Sequence, residues 1–144
     1  MIQNFSKKQV KKKKAKKLSI TKVQDAVNYA IRKRDVYCIN QDGTCSGRLE
    51  ASHFFGKGGN GGIRFHPDNI HGQCTKHHFD HHQRNPLVYV EWMQREKPDE
   101  LELLESMRGK AIKYSQVTLQ EIYDRAKVDD LDGIRELIEA LHGL

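Results

Sequence analysis

The residues best suited to chemistry lie in two stretches. Glu50-Ala51-Ser52-His53 comes first, and Asn69-Ile70-His71-Gly72-Gln73-Cys74-Thr75-Lys76-His77-His78-Phe79-Asp80-His81-His82 follows after a loop. Their types fit hydrolysis of a phosphodiester, which needs a base for water, a prop for that base, and a metal where charge develops. A neutral imidazole at His53 can take the proton of an attacking water. The Asn69 amide can bind backbone groups across the intervening loop and fix the orientation of that imidazole. His78 and His82 are four residues apart, fall on one face of a helix and can point at a common ion. Glu50 can complete the ligand set with a hard oxygen suited to Mg2+ or Mn2+; the alternative is a plain surface acid. His66, His71, His77 and His81 compete for these roles, and His81 is read as facing solvent or lying near phosphate.

A second set of ligands interleaves with the first. Cys74 and His77 form a Cys-x-x-His pair, whose side chains turn inward across a tight turn. With Cys38 and Cys45 they make a Cys3His set for one structural zinc ion. Such an ion stabilises a fold whose loops bury little apolar surface. Six residues separate Cys38 from Cys45, so Gln41-Asp42-Gly43-Thr44 must bulge outward. Three cysteines are an odd number, and with histidines so close they point to metal ligation in a reducing cytosol ahead of a disulfide framework. The competing reading is three unrelated buried or reactive thiols.

The elements that must position these residues read as an α+β fold. Ser19 can cap a helix to about Asp35, with Val23, Ala26, Val27, Ala30 and Ile31 on one stripe. Residues 36–47 form a turn-rich knuckle and 48–55 a strand, on which Leu49, Ala51 and His53 share a face. A glycine loop over 56–62 leads to Ile63-Arg64-Phe65, expected to return as a second short strand. A helix starts near Cys74 or Thr75 and breaks at Pro86. Further helices are expected over 87–96 (presenting Leu87, Val90, Trp92 and Met93), over 99–107 (capped by Asp99), from the capping box Thr118-x-x-Glu121 to about Lys127, and over 131–142. The last carries Leu131, Ile134, Leu137, Ile138 and Leu141 on one face, which closes the core or pairs with a second subunit, core closure being favoured.

Composition bounds the rest. With 144 residues, a mean hydropathy of −0.77 and 31% charged residues, the chain reads as one soluble domain, residues 18–144, behind a basic tail, residues 1–17. Within the domain, 36–85 would be the core and 86–144 a helical C-terminal part. No apolar run approaches the roughly 18–20 residues of a membrane span. The charge is uneven: residues 1–34 hold 12 Lys/Arg against one acid, and residues 35–144 hold 13 against 18. The tail is lysine-dominated and should lack structure without a partner. Lys11, Lys12, Lys13, Lys14, Lys16 and Lys17, with Arg32, Lys33 and Arg34 on the first helix, can neutralise phosphates on DNA without reading sequence. A solvated or targeting-type tail is the plainer alternative.

At these residues the chain resembles the NinG/Rap family of lambdoid phage recombination proteins, a branch of the HNH superfamily. The resemblance runs from Ile31-Arg32-Lys33-Arg34-Asp35 through Cys38 and Cys45. It continues over Glu50-Ala51-Ser52-His53-Phe54, Ile63-Arg64-Phe65 and Asp68-Asn69-Ile70-His71-Gly72-Gln73-Cys74, with an echo at Lys113-Tyr114 and Thr118-Leu119-Gln120-Glu121. It implies a small ββα-metal core with a zinc knuckle, surrounded by helices, in which His53 is the base and Asn69 the prop. It also implies structure-specific cleavage of branched DNA, such as Holliday junctions, by a phage protein in the host cytosol. The family usually has Cys-x-x-Cys in both halves of its knuckle and Asn after the second pair; this chain has Cys38-x6-Cys45, Cys74-x2-His77 and His78. Two rival functions stand beside this one: an HNH nuclease of restriction, homing or packaging type on duplex DNA, and a zinc-knuckle DNA-binding protein without catalysis. Symmetric cleavage of a junction needs two active sites, for which a homodimer is one arrangement.

Overall fold

The computed structural model describes residues 16–144. Helix α1 spans Ile20–Asp35, and the Ser19 hydroxyl caps it by accepting the Lys22 N–H. Strand β1 (Leu49–His53) pairs antiparallel with β2 (Ile70–Cys74), with Leu49 opposite Cys74 and His53 opposite Ile70. Helix α2 (Thr75–Gln83) leaves β2 directly. Helices α3 (Leu87–Glu96), α4 (Pro98–Met107), α5 (Gln116–Lys127) and α6 (Leu131–Leu141) follow. The fold is α+β, as the sequence implied. No helix among the described residues is long and apolar enough to cross a membrane.

Several expected boundaries are corrected. Ile63-Arg64-Phe65 does not return as a strand. Gly61–Ile63 forms a 3-10 turn, and Ile63 and Phe65 are buried singly in two different apolar clusters. The returning strand is β2, all five of whose residues are buried. Pro98 takes the first position of α4, where its missing N–H costs nothing, and Asp99 lies in the first turn instead of capping it. Helix α5 starts earlier than expected because Ser115, not Thr118, is the cap; the Ser115 hydroxyl accepts the Thr118 N–H. On α3, Tyr89 is fully buried while Leu87 is 59% exposed.

The two clusters explain how the sheet is held. One joins Val23, Val27, Ala30 and Ile31 of α1 to Leu119 and Ile122 of α5, Ile134 and Ile138 of α6, and Phe65 and Ile70. Ala51 packs against it from β1, so α1 covers that face of the sheet. The stripe on α6 therefore closes the core. The other cluster joins Ile63 to Tyr89 and Met93 of α3 and to Leu104 and Met107 of α4. The outer edge of β2 is sealed: the Asp35 carboxylate accepts the Gly72 N–H at 2.6 Å, and the Ile39 N–H donates to the Gly72 carbonyl at 2.9 Å. Gly72 lets the two elements close in, since a Cβ there would sit 3.1 Å from side-chain atoms of both Asp35 and Leu49, which would have to give way.

Candidate metal centre and catalytic constellation

The first turn of α2 builds the metal centre. Cys74 is its N-cap, with Sγ accepting the His77 N–H at 3.5 Å. The Sγ atoms of Cys38, Cys45 and Cys74 lie 3.5, 3.6 and 3.1 Å from His77 Nδ1. All four ligand atoms fall within 4.8 Å of one another. Tetrahedral zinc, with bonds of about 2.3 Å to sulfur and about 2.0–2.1 Å to nitrogen, would separate sulfur and nitrogen by about 3.6 Å. The donor set thus stands near zinc spacing, and its chemistry suits zinc. Burial pushes the Cys38 thiol up to about 12. Burial acts on Cys74 too, but the N–H groups of His77 and Ser46 outweigh it and bring that thiol to about 7. A divalent cation among them is what would let all three ionise.

The long spacing between Cys38 and Cys45 has a use that spacing alone did not reveal. The bulged loop carries Asp42, whose Oδ1 accepts from the Thr44 hydroxyl at 2.6 Å and the Thr44 N–H at 2.9 Å. Its Oδ2 meets His77 Nε2 at 3.0 Å. Thr44 first, and His77 after it, hold this carboxyl well below the usual carboxylate range. A carboxylate on the far nitrogen of a ligating histidine fixes its tautomer and aims the near nitrogen at the metal. Asp42-Gly43 had read only as a turn, which Gly43 does make at φ 82°.

His53 ends β1 and is 5% exposed. Its Nε2 lies 2.8 Å from the Arg64 carbonyl. A carbonyl can only accept, so Nε2 carries the proton and Nδ1 presents a lone pair. Burial lowers the His53 pKa to about 4; the Arg64 carbonyl opposes the shift, and the positive charges of Lys57 and Arg64 add to it. The imidazole is therefore neutral at neutral pH, the form a base requires. Asn69 is fully buried and clips the loop shut. Its Oδ1 accepts the Phe55 N–H at 2.9 Å, and its Nδ2 donates to the Phe55 and Ile63 carbonyls at 3.1 and 3.4 Å. The amide thus bonds backbone on both sides of the intervening loop.

On α2, His78 Nδ1 lies 3.0 Å from Glu50 Oε1, and the rings of His78 and His82 are 5.2 Å apart. Glu50 and His78 are thus brought together, with His82 beside them. Among the described residues, only the Cys3His group gathers three or more ligand atoms at one point. His81 is not solvent-facing: its Nε2 meets the Phe54 carbonyl at 2.9 Å and its ring stacks on Phe54. His66 is fully buried, and His71 Nδ1 lies 2.7 Å from the Tyr89 hydroxyl, so both are taken up in the framework.

Among the basic residues, Lys16 and Lys17 are exposed, while Lys11, Lys12, Lys13 and Lys14 lie outside the described residues. Lys33 pairs with Asp129, and Arg32 stands over the Tyr29 ring. Arg34 departs from the expected phosphate contact. Its guanidinium is shared between the Asp35 carboxylate and the carbonyls of Pro67 and Ile70. It clamps the loop before β2 instead.

These features define an α+β chain with a Cys3His cluster able to hold a metal beside a two-stranded sheet and helix. The model of the bacteriophage lambda NinG protein family matches residues 3–135, and the chain belongs to that family. No curated protein and no solved structure gives a significant match.

Proposed function

We propose that the chain is a metal-dependent DNA endonuclease of the HNH type acting on branched recombination DNA such as four-way junctions. The observation that carries the reading is the environment of His53. A neutral imidazole, its Nε2–H on the Arg64 carbonyl, leaves Nδ1 unprotonated, on a strand that packs against the helix bearing His78 and His82. In this reading His53 Nδ1 takes the proton of water as it attacks phosphorus. Asn69 keeps the loop, and with it the Arg64 carbonyl, in register. Glu50 and His78, with His82, hold the divalent ion. The chemistry that ion supplies is stabilisation of charge on the phosphate and on the leaving 3′ oxygen. The products are 5′-phosphate and 3′-hydroxyl ends. The zinc knuckle is structural. Lys57 and Arg64 place positive charge where a phosphate must approach. The substrate class rests on the family's association with phage recombination.

The test is side-by-side cleavage of four-way, flap and linear substrates by zinc-loaded protein with Mg2+ or Mn2+. Junction-selective cutting is the expected result. Equal cutting of linear duplex would point to the duplex nuclease, and no cutting of any substrate would leave a DNA-binding knuckle.

A further expectation concerns the basic tail. Both the N–H and the carbonyl of Leu18 bond the Gln116 side chain, so the chain can be shortened up to residue 15 without loss of that anchor. Deleting residues 1–15 removes Lys7, Lys8, Lys11, Lys12, Lys13 and Lys14. Binding should weaken alike on junction and duplex, and the slope of log K against log[salt] should fall by up to about 0.9 per lysine held on DNA. Titrations across a salt series measure both; an unchanged slope would take the tail off the DNA.

A further inference from the structure

We propose that α6 is the positioning element of the catalytic site: Arg135, Glu139 and His142 hold the loop 61–69 at three points and thereby fix the Arg64 carbonyl and Asn69. The inference rests on the catalytic reading of His53 given above.

Helix α6 presents two adjoining stripes. Ile134 and Ile138 enter the core. Beside them Arg135, Glu139 and His142, at spacings of four and three, share one face of the helix. Each ends on a different point of the same loop. The Arg135 guanidinium grips both Asp68 oxygens, at 2.9 and 3.0 Å. Glu139 Oε1 lies 3.2 Å from His66 Nε2, and His142 Nε2 lies 2.9 Å from the Gly62 carbonyl.

The local geometry serves these contacts. His66 Nδ1 accepts the Asp68 N–H and so caps the 3-10 turn Pro67–Asn69. Its Nε2 must then carry a proton, which it donates to Glu139. Gly62 is bare because a Cβ would stand 2.5 Å from the Lys110 carbonyl and 3.0 Å from the His142 ring. Along the chain, Arg64, whose carbonyl holds the His53 ring, lies between the first two anchors, and Asn69, whose amide ties the loop to Phe55, follows the third directly. From α1, Arg34 holds Pro67 and Ile70 of the same segment. The loop is therefore gripped by two helices. The apolar stripe of α6 would suffice to seat the helix on the core; the polar stripe adds a defined position for the loop.

The experiment uses full-length, zinc-loaded protein and the variants Glu139→Ala, Glu139→Gln and His142→Ala. Two readouts are taken: kcat and KM on a four-way junction, and the ring-nitrogen resonances of His53. In the parent, His53 should show one tautomer, with its proton on Nε2. Glu139→Ala and His142→Ala should each lower kcat by about tenfold or more at nearly unchanged KM, since small displacements of a base are costly. Both should leave His53 in mixed tautomers. Glu139→Gln keeps an oxygen acceptor for His66 and should restore both readouts. Parental kcat and a single His53 tautomer in both alanine variants would overturn the proposal, as would a Glu139→Gln defect equal to that of Glu139→Ala. His142→Ala, at the C-cap just past the helix, serves should Glu139→Ala fail to fold. A parent that does not cut DNA defeats the nuclease reading, whereas the His53 tautomer then decides this one.

Discussion

Replacing His53 with alanine should slow cleavage by about 10²–10⁴-fold, the usual cost of losing a general base, while zinc content and DNA affinity remain those of the parent. The residue is not among the Cys3His ligands, and its side chain bonds the Arg64 carbonyl. Its loss therefore removes the proton acceptor without touching the knuckle or the exposed lysines. The pH profile carries the same signature. An ordinary histidine is half protonated near 6.5, whereas burial holds His53 at about 4. Its own protonation should then begin to quench cleavage only as pH falls towards 4. Stability follows with a definite sign. A histidine whose folded pKa is lowered contributes fully above its unfolded value, and that contribution is lost between about pH 6.5 and 4, because the unfolded chain takes up the proton first. The slope is about 1.4 kcal/mol per pH unit. Rates measured on folded protein across this range are the check. A variant that cuts at the parental rate would remove His53 from the chemistry.

Loss of the zinc ligands should be still more damaging. Cys74→Ser is the sharpest variant because serine is itself a good helix cap, so the start of α2 keeps an acceptor for the His77 N–H while the thiolate is gone. A structural zinc contributes about 10–16 kcal/mol of apparent binding energy to a folded site, comparable to the whole stability of an ordinary domain. The knuckle has little else: Cys45 is exposed, and Val36 and Tyr37 before it are 58% and 70% exposed. The parent should carry about one zinc per chain, and Cys74→Ser should lose it and unfold the segment around Cys38 and Cys45. A chelator should do the same to the parent. His78→Ala, by contrast, should keep the zinc and lose the cleavage that Mg2+ or Mn2+ supports. Elemental analysis and thermal unfolding decide the matter. A zinc-free parent, or a Cys74→Ser protein as stable as the parent, would defeat the structural role.

How much could be read in advance depended on how local the signal was. Helix α1 and the core face of α6 were legible because their apolar residues recur with helical spacing. The Cys3His set was legible because ligand types are few and their spacing is diagnostic. Strand β2 was not, since all five of its residues are buried and alternation, the usual sign of a strand, is erased. Ile63 and Phe65 misled for the converse reason: they alternate, but each is claimed by a different cluster. Asp42 passed for a turn residue because its partner His77 lies 35 positions away. The same blindness hid the fixing of His66 by Glu139 and of Gly62 by His142, where side chain and loop lie 73 and 80 positions apart.

Those separations impose an order on biosynthesis. The ligands of the knuckle are joined over 3 to 39 positions, so a chain emerging from its N-terminus can close the metal centre once α2 is made. The loop that presents the Arg64 carbonyl has Arg34 behind it by then, but its contacts with α6 span 67 to 80 positions. Long-range contacts form late because more chain entropy must be lost before they are rewarded. Metal loading and completion of the surroundings of His53 would thus be separate events in the life of one molecule. A half-made chain can already hold its zinc while the loop around His53 is still unsupported on one side.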